Sequence, residues 1–313
     1  MCRNTQIDSS KKTLVRRTSS SLLLTTKSFS SHDPENATPP PMASSFITIV
    51  FFIAILCVIE HMCRYIFKDA HYLLENDVSY KILARHVGVD FTCCCVVAYL
   101  GIKSAHICKA MWCSPFSLHP SGAQVRMFTY HPEAQQILLL FLAYQIKNLF
   151  DTIVWNDGPQ YIFHHVAAGM AAFFGMYPGY SHYYAIFFMG ISEISTAVLV
   201  LLANFDDKLG IDGFSEAFPA VKIGLGIFFV ITFIVCRVVI WPIGAYMFLK
   251  DAQTVLKLNN PQVNTRRIHL KTTVFCLSGL SILQVVFLIQ IYVISKAEIE
   301  KMFPLGETST VGV

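Results

Sequence analysis

Apolar runs too long for an ordinary soluble helix, separated by short charged connections, constrain this chain more than any other feature of its sequence. A helix rises about 1.5 Å per residue, so about 20 apolar residues cross the hydrocarbon of a bilayer. Seven runs of roughly this kind can be drawn, at 42–59, 86–101, 132–155, 161–178, 182–202, 219–249 and 272–294. Hydrocarbon satisfies no backbone N–H or C=O, so a spanning segment is either a helix or part of a closed barrel. Long continuous runs without strict alternation favour helices. The fold class read from the sequence is therefore all-α, a polytopic membrane helix bundle with about seven transmembrane helices.

Composition agrees, because 54% of the residues are hydrophobic and 14% charged, where a soluble domain keeps roughly a quarter of its residues charged. The formal net charge of +4 is spread through the connections. It makes no basic stripe, so no nucleic-acid partner is expected and membrane lipids are. Cys57, Cys93, Cys94, Cys95, Cys236 and Cys276 lie within apolar runs, where a thiol packs as a small hydrophobe. No Cys-x-x-Cys pair or other zinc spacing occurs, so neither a metal site nor a cofactor is expected.

Residues 1–42 read as a disordered, basic, Ser/Thr/Pro-rich tail that also resembles an organelle transit peptide, 43–296 as the membrane domain, and 297–313 as a short C-terminal tail. The second run is the shortest. The fourth and fifth share a tight hairpin at Pro178 and Gly179, and Pro242 predicts a kink late in the sixth. Phe173, Phe174, Tyr177, Tyr180, Tyr183 and Tyr184 read as an interfacial aromatic belt around that hairpin. Lys and Arg outside the tail divide eight against nine between the two sides, with Arg64, Arg85 and Lys147 counted on the side away from the tail, so the count gives no orientation.

Polar residues within the runs carry the functional signal, since a charge at membrane depth costs a few kcal/mol on insertion scales and usually faces a protein interior. Alternating the helix direction and counting 1.5 Å per residue puts Glu193, Arg237 and Gln284 at one level, about 16 to 18 Å from the tail-side face. An acid and a base at one level of neighbouring helices predict an ion pair between Glu193 and Arg237. A second group gathers nearer the opposite face: His86 and Asp90, Asn148 and Asp151, His164 and His165. His86 and Asp90 are four apart, which places the carboxylate where it can orient the imidazole. His164 and His165 are about 100° apart around a helix and make a poor metal chelate. Ser195 and Thr196 accompany Glu193 and satisfy their hydroxyls most simply on carbonyls one turn back.

The run Phe163-His-His-Val-Ala-Ala, then Gly190-Ile-Ser-Glu-Ile-Ser-Thr196, then Thr232-Phe-Ile-Val-Cys-Arg237 with Pro242, resembles the TLC domain shared by ceramide synthases and the TLC domain-containing proteins. The resemblance implies a protein of the endoplasmic reticulum membrane whose helices surround a lipid cavity. In ceramide synthases paired histidines transfer an acyl group from acyl-CoA to a sphingoid amine; carried over, these are His164 and His165, with Asp151 beside them as a further catalytic candidate. The Glu-x-Ser-Thr form resembles the other branch, linked to membrane lipid composition, lipid sensing or trafficking.

The leading expectation is a lipid-binding protein that influences membrane lipid composition, its cavity lined by His86, Asp90, Asn148, Glu193, Ser195, Thr196, Arg237 and Gln284. Two alternatives stand beside it. One is an N-acyltransferase with acyl-CoA as co-substrate; the other is a non-enzymatic trafficking receptor of the early secretory pathway.

Overall fold

The computed structural model describes residues 40–113, 122–177, 181–206, 210–258 and 261–302. Nearly all of the N-terminal tail, residues 303–313, and the hairpin turn at Pro178 and Gly179 lie outside the described residues. The helices in chain order are α1 (Met42–Phe67), α2 (Ser79–Lys103), α3 (Lys109–Cys113), α4 (Ala123–Phe128), α5 (Pro132–Trp155), α6 (Pro159–Met176), α7 (His182–Phe205), α8 (Phe214–Ala217), α9 (Pro219–Leu256) and α10 (Pro261–Met302). No strand occurs among the described residues.

Six of these helices, α1, α2, α5, α7, α9 and α10, are long and apolar enough to cross a membrane. The expected seventh, α6, forms as a helix of 18 residues, about 27 Å long. It falls short in apolarity because Gln160, His164 and His165 sit in its first half. Its position explains why that is tolerated: α6 packs along α5 on one side and α10 on the other, so the polar half meets protein. The second span, expected to be the shortest, is 25 residues long.

The ends of the helices follow local chemistry. Asn156 closes α5 in the left-handed region (φ 54°), Gly158 follows at φ 123°, and Pro159 opens α6. An asparagine and a glycine tolerate those angles, and proline at the first helical position loses no intrahelical hydrogen bond. The result is a tight antiparallel hairpin. Gly169 of α6 lies over Gln145 and Leu142 of α5.

We call the side where α1 begins the first face. The short α4 consolidates it: Ser181 N–H donates to the Met127 carbonyl at 2.7 Å, and the His131 N–H reaches His182 Nδ1 at 3.1 Å. The beginnings of α5 and α7 therefore meet there. The main core runs through α2, α5, α6 and α7. In the most apolar window of α5 and of α7, 61% is buried, against 17% in α1, so α1 presents most of its side chains to lipid.

α2 and α7 approach closely enough for their backbones to touch. A Cβ built on Gly101 would lie 2.6 Å from Ile191 N and 2.8 Å from the Gly190 carbonyl carbon. Small residues let backbones meet in this way where no hydrophobic force joins helices. Gly101→Ala is expected to force α2 and α7 apart and destabilise the bundle by about 1–3 kcal/mol, as overpacking does. Gly224→Ala, with nothing within 4 Å of its Cβ, serves as the neutral control. Thermal midpoints in lipid nanodiscs compare the two.

Candidate functional site

Three helices depart from α-helical winding at the polar interior. Wide π-type turns occupy Ala84–Phe91 of α2, Ile186–Ile191 of α7 and Ile234–Ile240 of α9. The Ser192 N–H bonds the Phe187 carbonyl at 3.0 Å, five residues back. Such turns place one extra residue in the winding and occur often at functional sites. Here they contain Arg85, His86, Asp90 and Arg237, or come directly before Glu193. The turn in α9 ends just before Trp241 and Pro242. α9 thus runs on from Pro219 to Leu256 without a break in helical winding, with the wide turn directly before Pro242.

Arg237 is the centre of the first group. Its guanidinium donates to Glu193 Oε1 at 3.1 Å, Ser195 Oγ at 3.1 Å, Thr196 Oγ1 at 2.9 Å and the Ser192 carbonyl at 3.1 Å. The indole of Trp241 lies 5.0 Å from its central carbon. Arg237 and Glu193 are each 6% exposed, so the ion pair expected from their common depth forms in the interior. Ser195 bonds one turn back, to the Ser192 carbonyl, and both Ser195 and Thr196 accept from Arg237. Gln284 is buried nearby in sequence depth but bonds its own helix, at the Leu280 carbonyl.

The two histidines of α6 differ. His165 Nδ1 meets Gln145 Oε1 at 2.7 Å, and Gln145 is 2% exposed. With the amide oxygen accepting, the proton resides on Nδ1 and Nε2 is left as an acceptor. His164 Nδ1 is buried without a hydrogen-bond partner. Its ring stands edge-on to His165 and to Phe287 of α10, at 5.3 and 6.4 Å between centroids.

Toward the opposite face the structure rearranges the expected second group. His86 directs Nδ1 to Asn204 Oδ1 at 3.0 Å, where the four-residue spacing had pointed to Asp90. The π-type turn around both residues changes the register on which that spacing argument relied. Asp90 is buried with Oδ1 unpartnered, as is Asn148 Oδ1. Asp151 accepts from Lys147 at 2.5 Å, Lys147 also reaches Glu60 of α1 at 2.7 Å, and Glu60 pairs with Arg64. Arg85 meets Asp157, in the turn between α5 and α6, at 2.5 Å. Arg64, Arg85 and Lys147, counted from the sequence as cations of the side away from the tail, all belong to ion pairs at the bundle.

A further cluster on the first face had no sequence signal. Arg126 of α4 makes a two-pronged pair with Asp251 of α9, at 2.6 and 2.7 Å, and the Tyr184 hydroxyl donates to the same carboxylate at 2.6 Å. The hydrogen bonds to Asp251 hold the guanidinium above the usual arginine value. Tyr183 and Tyr184 are buried, so part of the expected aromatic belt is interior packing and hydrogen bonding. The partners lie 125 residues apart, and no local pattern connects them.

An apolar cleft of about 210 Å³ opens between α9 and α10, lined by Val230, Phe233, Ile234, Leu288, Ile291, Tyr292 and Ser295. The expected cavity residues are not in its lining. Two of the polar residues come near it along the chain: Arg237 is one turn beyond Phe233 and Ile234 on α9, and Phe287, whose ring is 6.4 Å from that of His164, precedes Leu288 on α10. Among the described residues no group of three or more His, Cys, Asp or Glu side chains is arranged to hold a metal ion.

A family model described as the TLC domain matches residues 84–296, about two thirds of the chain. The match takes in α5, α6, α7 and α9 whole and starts at the π-type turn of α2, leaving α1 outside. No curated protein and no solved structure matches the chain.

Proposed function

The chain is a multi-pass membrane protein that belongs to the TLC-domain family, and on that premise we propose that it binds a membrane lipid at the cleft between α9 and α10. The acyl chain lies along Phe233, Ile234 and Leu288, and the polar end turns inward to His164 and Arg237. One observation carries the reading: a buried imidazole nitrogen without a partner belongs to a ring 6.4 Å from that of Phe287, one residue along α10 from Leu288 of the apolar cleft. A buried polar atom left unpaired costs about 1–3 kcal/mol, so a ligand supplying a hydrogen bond there gains on both counts. At about 210 Å³ the cleft is below the roughly 300 Å³ of a typical small-molecule pocket. It suits part of one acyl chain. The proposed setting is the endoplasmic reticulum membrane and the proposed outcome is a change in membrane lipid composition.

Filling the cleft tests this. Leu288→Trp is expected to lower the lipid retained by the purified full-length protein about tenfold, equivalent to about 1.4 kcal/mol, by native mass spectrometry. His164→Ala is expected to change which headgroups are retained. Unchanged lipid in both variants removes the proposal.

A second reading is favoured by the Gln145 contact, which orients His165 with Nε2 available as a base toward an amine. It is an N-acyltransferase with acyl-CoA as co-substrate. Labelled acyl-CoA with a panel of amine acceptors, comparing the natural protein with His165→Ala, decides it: product that persists in the variant excludes His165 from chemistry.

A further inference from the structure

We infer that the first face is built to rest on an anionic lipid leaflet, which places the start of α1 on the cytosolic side. The inference is independent of the cleft and of any catalysis.

The charge pattern carries it. Lys103 at the end of α2, Lys109 in α3, Lys250 and Lys257 at the end of α9, and Lys271 near the start of α10 are exposed on this face. None forms an ion pair among the described residues. The acids described there are Glu133 and Asp251, and Asp251 is committed to Arg126. Contacts through α4 gather these helix ends: Arg126 ties α4 to α9, and Arg266 of α10 lies over the Phe128 ring at 5.2 Å. The lysines therefore belong to one surface.

The opposite face has a different balance. Lys81 pairs with Asp77 at 3.1 Å, Lys222 with Glu298 at 3.4 Å, Lys296 with Glu300 at 3.8 Å, and Arg85 with Asp157. Exposed acids add to it at Asp69, Glu75, Asp212 and Glu216. Lys and Arg nearly equal in number on the two sides thus conceal a difference in pairing. On the opposite face most of the described cations, Lys68 excepted, have a carboxylate partner, and on the first face the five lysines have none and are available to phosphate.

An anionic cytosolic leaflet attracts basic residues at the membrane surface, at about 1 kcal/mol for each Lys or Arg, an effect confined to a Debye length. The inference also bears on the acyltransferase reading. His164 and His165 lie in the half of α6 nearer the opposite face, so with this orientation acyl-CoA from the cytosol meets the far end of the bundle.

Two measurements on the full chain test it. In nanodiscs of phosphatidylcholine with or without phosphatidylserine, the natural protein is expected to retain the anionic lipid preferentially. Changing Lys103, Lys109, Lys250, Lys257 and Lys271 together to Gln should weaken that preference by up to about fivefold per lysine, and raised salt should weaken it too. Lys68→Gln, on the opposite face, should leave it intact. No preference, or a preference the five substitutions do not move, overturns the inference. So does equal stabilisation by inorganic phosphate in detergent, which would assign the lysines to a soluble ligand.

The second measurement is sidedness. In sealed microsomes, an impermeant maleimide should label Cys113, exposed at the end of α3, in a variant whose other cysteines are replaced. In a cysteine-free variant, Glu216→Cys should react only after permeabilisation. The reverse pattern overturns the orientation.

Discussion

Replacing Arg237 with methionine is expected to destabilise the bundle by about 3–5 kcal/mol, the range measured when one member of a buried ion pair is removed. The side chains of Arg237 and Glu193 are 6% and 7% exposed, so removing the cation leaves a carboxylate in an apolar interior. It also removes the donor to Ser195, Thr196 and the Ser192 carbonyl. The loss arises mainly from the unpaired charge, and that makes a specific expectation for the double variant. Glu193→Leu with Arg237→Met should recover much of the stability, because an apolar pair of similar volume is often as stable as the ion pair it replaces. Thermal midpoints of the two single variants and the double variant in nanodiscs measure the coupling. Additive losses would mean that Glu193 and Arg237 do not act as a pair, and a double variant as stable as the natural protein would mean that the pair serves function alone.

How much of this was legible beforehand depended on the physical scale of each signal. The spanning helices follow from run length and from the demand that backbone groups be satisfied in lipid, and those requirements act locally. The pairing of Glu193 with Arg237 was also legible, because helical rise converts sequence position into depth and two opposite charges at one depth are a strong constraint. Around-axis direction was less accessible. Spacing arguments assume regular winding, and the π-type turns in α2, α7 and α9 break it where the polar residues lie. His86 therefore meets Asn204 and not Asp90.

Contacts between distant elements left no trace in the sequence. Arg126 reads as a loop charge until α4 sets it against Asp251, and Lys147 reads as a lone charge in a spanning run until α1 places Glu60 beside it. Gln145 had a usable signal: an amide within an apolar run, three residues before Asn148 on the same helical face. The polarity of α6 had another. His164, His165 and Gln160 lower its apolarity below that of the six clear spans, and in a helix bundle the least apolar member belongs between other helices.

Lys147 gives the second large expected effect, and it separates interior charge from surface charge. Its ammonium sits between Glu60 and Asp151, at 2.7 and 2.5 Å, with 8% of the side chain exposed. Lys147→Met leaves Glu60 with Arg64 and Asp151 with no cation of its own at that site, so the expected loss is again about 3–5 kcal/mol. Lys147→Met combined with Asp151→Asn should regain part of it, since the neutral amide has little charge to desolvate. Lys222 provides the contrast. Its pair with Glu298 is 3.4 Å long, with side chains 25% and 35% exposed, and exposed pairs contribute about 0–1 kcal/mol. Lys222→Met is therefore expected to shift the thermal midpoint little under the same conditions. Similar losses at Lys147 and Lys222 would show that water reaches the Glu60 site and screens it as at the surface. The polar interior from which the lipid-binding proposal is argued would then not be sealed from solvent on the opposite face.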